Sequence, residues 1–412
     1  MSPRVLIAGG GIGGLAAALT ASRANWEVQL HEKAAAFSEV GAGLQLGPNV
    51  VNLLHNWGLA RALDTVAAFP EHLEVRSVLS GAMLGNLRLG SVISERYGAP
   101  YATVHRADMH GLLLEAVQQQ SRAKLYLNSP LQGFKQSPHA VTLQTADGAD
   151  GADGAEVNGD VLIGADGLWS SVRKQLLGDG PPRRTGHLAY RALMPQAALP
   201  ARLRCQNVTV WLGPRMHIVH YPVRRGEWLN LVAIVHADTD TDTDTDTATD
   251  AEGWDHSANA AELAAALAGS CTALRDLMAA VNVWRLWPLC DRPPMQGAYQ
   301  HARGRVALLG DAAHPMLPYL AQGAGMAIED AAELGDAFKQ ALDSALDMPA
   351  MLQRYAARRW QRNARVQARA LRNGQIFHAE GLVRWGRDAS MKLLGEPLLD
   401  LPWLYRGPAI AA

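Results

Sequence analysis

Cysteine is nearly missing from this chain. Its 412 residues include three, Cys205, Cys271 and Cys290. An odd number with no CxxC spacing excludes a disulfide framework and a redox dithiol, so the reducing cytoplasm is the expected compartment. An excess of one charge is missing too. Lys and Arg number 38 against 39 Asp and Glu, so no global field draws the chain to nucleic acid or to an anionic membrane. A small partner is expected instead. No stretch approaches the about 18 uninterrupted apolar residues of a membrane span, and the apolar run Val5 to Ala8 is too short for a signal-peptide core. These absences predict a soluble chain with an unprocessed N-terminus. What is present, 48% hydrophobic and 19% charged residues, suffices for a large core divided into two or three domains.

The first motif is "RVLIAGGGIGGLAAALTASRANWEVQLHEK", residues 4 to 33. A strand meets Gly9-x-Gly11-x-x-Gly14, an Ala/Leu-rich helix follows, and a second strand runs into Glu32 and Lys33. Gly9 allows a tight turn, Gly11 lets main-chain amides approach a pyrophosphate, and Gly14 permits close helix-to-strand packing. The helix N-terminus faces the phosphates, and Glu32 stands where a carboxylate accepts hydrogen bonds from the adenosine ribose. Strand, helix and acid occur in register, which predicts a dinucleotide site; FAD and NAD both fit.

Two later segments repeat this grammar. "GDVLIGADGLWSSVR" (159 to 173) runs a strand into Asp166-Gly167, and "VALLGDAAHPMLPYLAQGAG" (306 to 325) runs one into Gly310-Asp311. "VHRADMHGLLLEAV" (104 to 117) sets Arg106 ahead of an amphipathic helix. In this order the elements resemble the flavoprotein aromatic hydroxylases, the single-component FAD monooxygenases. Segments such as "EVGAGLQLGPNVV", "GHLAYRALM" and "WRLWPLCDRPP" look most like the 3-hydroxybenzoate 6-hydroxylases. Salicylate 1-hydroxylases and 6-hydroxynicotinate 3-monooxygenases look like more distant relatives. Pro318 stands where the 3-hydroxybenzoate branch carries glutamine and is familiar among salicylate-type members, so the branch stays open.

The resemblance implies an α/β fold: a Rossmann-like FAD-binding domain (1–70, 100–185 and 285–345), an inserted β-sheet substrate domain (71–99 and 186–284) and a C-terminal helical segment (346–412). It implies that Gly9, Gly11, Gly14, Glu32, Lys33, Gln45, Arg106, Asp166, Asp311, Gly323, Ala324 and Gly325 serve FAD. Asp311 would reach the ribityl chain, and the small residues would let the backbone close on the flavin ahead of a helix starting near Met326. His314-Pro315 and Pro318 would form a stiff wall beside the ring. Gln45, Tyr221, Pro315 and Pro318 would border the substrate. No second GxGxxG exists, consistent with NADH or NADPH visiting transiently. No metal is expected.

In "MHIVHYPV" (216 to 223) strand parity puts His217 and Tyr221 on one face and His220 on the other. With the family match, His217 is the expected base and Tyr221 its companion. A flavin hydroperoxide attacks an electron-rich ring, and a neutral His can take the phenolic proton that makes the ring so. A small phenolic carboxylate and dioxygen are the expected substrates. A flavin dehydrogenase or oxidase, and a non-catalytic FAD sensor, are the alternatives from other classes.

Two polar repeats, 146 to 155 and 238 to 250, lack the spacing of a calcium loop and are expected to be solvated expansions. The C-terminal helix carries Arg354, Arg358, Arg362, Arg365, Arg369 and Arg372 on one stripe. A solvated or salt-bridged face is expected there rather than a nucleic-acid footprint, and family habit adds a homodimer contact.

Overall fold

The computed structural model describes residues 2–37, 42–146, 155–236, 256–257, 260–344 and 347–408. Most of both repeat tracts therefore lies outside the described residues. Two large sheets organise the rest. The first has six strands, in the order Ala302–Arg303, Val306–Leu308, Val161–Gly164, Arg4–Ala8, Glu27–His31 and Ala123–Tyr126. All its pairings are parallel except that of the short first strand. Parallel strands buried on both faces read as continuous apolar runs, as Val5 to Ala8 and Val161 to Ile163 do. Helix Ile12–Arg23 packs on this sheet, and helix Gly323–Ser344 packs on helix Ile12–Arg23. Their close approach is specific: a Cβ on Gly335 would lie 2.7 Å from Thr20 Cβ, and the Thr20 hydroxyl donates to Ala331 O at 2.9 Å.

Register brings the three motifs together. Ala8 lies opposite Gly164, and Gly164 opposite Leu308. The glycine-rich turn, Asp166-Gly167 and Gly310-Asp311 thus emerge side by side at the carboxyl ends of three adjacent parallel strands, where α/β sheets bind their ligands.

The second sheet has eight strands, in the order His256–Ser257, Arg285–Asp291, Arg183–Pro195, Trp228–His236, Met216–Val223, Val208–Gly213, His72–Ser77 and Met83–Arg88. The strand Arg285–Asp291, which the sequence placed with the cofactor unit, pairs here with Arg183–Pro195. An apolar run shows that a strand exists but not which sheet accepts it. A 30-residue helix, Met348–Phe377, packs on the strands Ala302–Arg303 and Val306–Leu308 and brings Phe377 against His217 of the second sheet. Three of the six arginines on the helix stripe are engaged: Arg358 meets Asp336 at 2.8 Å, Arg362 clasps Glu329 at 2.6 and 2.7 Å, and Arg365 lies over the Trp403 ring. No helix among the described residues is long and apolar enough to cross a membrane.

Candidate active site

A cavity of about 320 Å³ starts at the glycine-rich turn and ends against the eight-stranded sheet. Gly11, Ile12 and Gly13 line one end; His217, Val219 and Tyr221 line the other. Between them lie Gln45, Arg106, Asp311, Pro318, Gly323 and Ala324.

The turn is built as its glycines require. Gly9 has φ +104°, a region that side chains resist, and a Cβ on Gly14 would lie 1.9 Å from Gly9 O. Gly11 caps the helix Ile12–Arg23. The Glu32 carboxylate, just past the second strand, accepts from Gly10 N at 2.6 Å and Ala34 N at 2.9 Å. It steadies the turn from the side on which the ribose would lie; Lys33 follows it. Arg106 opens the helix Arg106–Gln118.

Asp166 does not line the cavity; its neighbours Ala165 and Gly167 do. Its carboxylate accepts from the hydroxyls of Ser170 and Ser171 at 2.5 and 3.0 Å and from Val172 N at 3.1 Å, so it caps the following helix. That helix supplies Arg173, which is buried and donates to Ala312 O and Ala313 O at 3.0 and 2.6 Å. The middle motif thereby ties down the late one.

The late motif differs from expectation in three respects. The helix begins at Gly323 rather than near Met326, so Gly323 and Ala324 form its first turn on the cavity wall. Gly325 is turned away: a Cβ there would meet Val50 Cγ2 at 2.9 Å. His314 and Pro315 are buried behind the wall, where Met316 takes their place. His314 Nε2 instead meets Asp330 Oδ2 at 2.5 Å, and the same oxygen accepts from Gly310 N at 3.0 Å. Arg359 and Asn363 hold Asp330's other oxygen at 2.7 and 2.9 Å. Burial alone would raise the Asp330 carboxyl, but the facing His314 and Arg359 hold it well below the ordinary carboxylate range.

On the far wall, the strand Met216–Val223 turns His217 and Tyr221 toward the cavity, while His220 stacks on Trp211 behind it. His217 is buried, and its Nδ1 lies 2.7 Å from His378 Nε2, which leaves Nε2 for the cavity. Burial, with His187 second, pushes the His217 pKa down to about 3, so the ring is neutral at pH 7. Gln45 accepts from Tyr101 OH at 2.8 Å, and Gly43 is wedged beside Tyr221, where a Cβ would come within 2.5 Å of the ring.

Two residues on or behind this wall gave no signal in the sequence. His378 follows the long helix, and only the fold brings it to His217. Arg191, inside "YRALM", lines the cavity with its guanidinium over the Trp287 ring at 4.9 Å. Among the described residues it forms no ion pair, and its buried Nε has no hydrogen-bond partner. Burial lowers its pKa, and Arg106 adds to the effect. Arg191 and Arg106 thus bring two guanidinium groups to a cavity that Asp311 also lines.

A glycine-rich nucleotide turn joined by one cavity to a second sheet defines a dinucleotide-dependent enzyme with a roofed active site. The chain matches the family model described as FAD binding domain over residues 3–370, and it belongs to that family as an FAD-dependent monooxygenase of the aromatic hydroxylase class. It is 35% identical to a 3-hydroxybenzoate 6-hydroxylase of Polaromonas naphthalenivorans, covering 97% of this chain and 95% of the relative. It is 37% identical to the 3-amino-4-hydroxybenzoate 2-monooxygenase PtnB3 of Streptomyces platensis, covering 98% and 96%. A solved salicylate hydroxylase in complex with substrate superposes with a TM-score of 0.80 at 27% identity, covering 98% of this chain and 95% of that one. The residues present fit FAD. Main-chain amides at two helix starts face the cavity, and Gly13, Gly310, Gly323 and Ala324 on its lining leave room for a flat ring beside the larger Gln45, Arg106 and Asp311.

Proposed function

We propose that the enzyme hydroxylates a small aromatic ring bearing both a hydroxyl and a carboxylate, with 3-hydroxybenzoate the leading member of that class. The single observation that carries the reading is Arg191, a half-buried residue on the cavity wall whose guanidinium has a buried, unpartnered Nε and no anionic partner among the described residues. An uncompensated buried charge costs several kcal/mol on the order of a broken buried ion pair, and a substrate carboxylate offsets that cost. The names of the relatives agree on this chemistry, since hydroxybenzoate and amino-hydroxybenzoate share a ring hydroxyl and a ring carboxylate.

FAD, when bound, carries electrons from NADH or NADPH to dioxygen and delivers one oxygen atom to the ring. Gly11 to Gly13, Glu32, Arg106, Asp311 and the Gly323–Ala324 turn would hold it. The chain's own residues do the rest. Arg191 fixes the carboxylate, and Tyr221 hydrogen-bonds the ring hydroxyl. His217 Nε2 takes the phenolic proton. A buried imidazolium is costly alone, but the proton transfer leaves a phenolate opposite it, and the two charges stabilise each other. The partition expected from the sequence is kept as part of this reading, with the substrate unit extended to Asp291.

The test is an NADH and NADPH oxidation screen over 3-hydroxybenzoate, salicylate, 4-hydroxybenzoate, 6-hydroxynicotinate and 3-amino-4-hydroxybenzoate. Products are identified under labelled dioxygen. Label in a hydroxylated acid supports the reading; peroxide from every acid with no labelled product replaces it with an oxidase.

A further inference from the structure

Three histidines from distant segments converge just behind the active-site wall. His187 and His236 face each other across two paired strands, and His378 arrives from the end of the long helix. His236 Nε2 lies 2.7 Å from His187 Nε2 and 3.0 Å from His378 Nδ1. All three nitrogens fall within 4.8 Å of one another. An imidazole nitrogen has one in-plane position, filled by either a hydrogen or a lone pair. His236 Nε2 therefore serves one of its two close neighbours well and leaves the other unsatisfied. A cation at the centre accepts all three lone pairs at once.

Two of the three nitrogens turned away from this point are held. His187 Nδ1 meets Tyr319 OH at 2.8 Å, and His378 Nε2 meets His217 Nδ1 at 2.7 Å. Metal-binding histidines are oriented in this way, through the ring nitrogen that does not face the ion. We propose that His187 Nε2, His236 Nε2 and His378 Nδ1 bind a borderline divalent transition-metal ion such as zinc, with solvent in the fourth position. Three imidazoles suit zinc, copper or nickel, whereas magnesium and calcium require oxygen ligands. Zinc–nitrogen bonds of about 2.0–2.1 Å in a tetrahedron separate the ligands by roughly 3.3 Å. The two short contacts must then open by roughly 0.3 to 0.6 Å, which rotation of the partly exposed His187 and His236 allows. No sequence spacing announced this site, because strand pairing and the helix end assemble it from positions 187, 236 and 378.

One consequence reaches the chemistry and rests on the reading of His217 as base. With an ion on His378 Nδ1, the ring hydrogen of His378 sits on Nε2 and is donated to His217 Nδ1. His217 then carries its own hydrogen on Nε2, facing the cavity, and cannot take another from a phenol. The ion would act as a brake on coupled hydroxylation.

The site and the brake are tested separately on the FAD-loaded, tag-free enzyme after chelation and desalting. Equilibrium dialysis against zinc chloride with metal analysis should find one saturable equivalent. His236→Ala and His187→Ala, changes at partly exposed positions, should each weaken it by roughly 10- to 100-fold. Zinc that does not bind, or that binds the wild type and His236→Ala alike, overturns the site. If the site holds, saturating zinc should raise the peroxide released per NAD(P)H oxidised in the wild type but not in His236→Ala. Binding of zinc without this uncoupling would keep the site and overturn the reading of His217.

Discussion

Each side chain at the active site answers a separate demand, so single substitutions should separate their contributions. Gly14→Ala places a methyl group 1.9 Å from Gly9 O, and backbone cannot yield there without moving the whole turn. The purified variant should be largely colourless; full yellow occupancy would contradict the cradle assigned to residues 9 to 14. His217→Asn should keep flavin binding and flavin reduction, since neither needs the phenolic proton. Hydroxylated product should fall by roughly 10²- to 10⁴-fold while NAD(P)H consumption continues and peroxide accumulates. Wild-type coupling at neutral pH would place the base elsewhere. Tyr221→Phe is the control, expected to cost about 0.5–1.5 kcal/mol in binding with coupling less affected. Arg191→Met should raise KM for the acid by roughly one to two orders of magnitude, the worth of a hydrogen bond to a charged group. It should change far less for a phenol without a carboxylate. An equal effect on both substrates would show that Arg191 is structural and not an anchor.

The late motif shows how elements, and not only residues, make the site. Gly310-Asp311 is positioned by Asp330 on the first turns of one helix, which is gripped by Arg359 on the next. Arg359 also donates to Glu329 at 3.0 Å, and all three residues are fully buried. Arg359→Met preserves the packing volume but leaves two buried carboxylates short of a partner. The expected cost is about 3–5 kcal/mol in urea unfolding, with a matching loss of FAD retention. A variant with wild-type stability would mean that Arg362, already on Glu329, carries the network alone. The sequence showed the arginine stripe but not the role of the buried Arg359 at its edge, which shares Glu329 with Arg362. Helical spacing identifies which residues share a face; it does not tell which face a second helix will cover with acids. His314 and Pro315 illustrate the same limit, since nothing local showed that His314 would turn inward to Asp330 rather than toward the ring.

Across the whole molecule, what could be read from the sequence was what is local. The glycine turn, the two Asp-Gly motifs and the parity of His217, Tyr221 and His220 are set within a few residues. Arg191 and His378 were invisible because their role appears only when segments far apart meet; His217 and His378 are separated by 161 positions. The same long-range packing buries histidines, and this has a global consequence for acid stability. His301 is fully buried, and neither ring nitrogen has a hydrogen-bond partner among the described residues. Burial first, and the neighbouring His314 second, push its pKa down to about 3. In the unfolded chain it titrates near about 6.5. Between those values the unfolded state holds a proton that the folded state refuses. The contribution to stability is therefore fully present above the unfolded value and is lost progressively as the pH falls through it. From pH 7 to pH 5 this one residue should remove about 2 kcal/mol. His301→Leu deletes the titration and fills the space with an apolar side chain that leaves no buried nitrogen unpaired. Urea unfolding at pH 7 and pH 5 should then show a smaller loss of stability on acidification, by about that amount. An unchanged difference between the two pH values would mean that His301 is protonated in the folded protein and that its charge is accommodated beside Asp330.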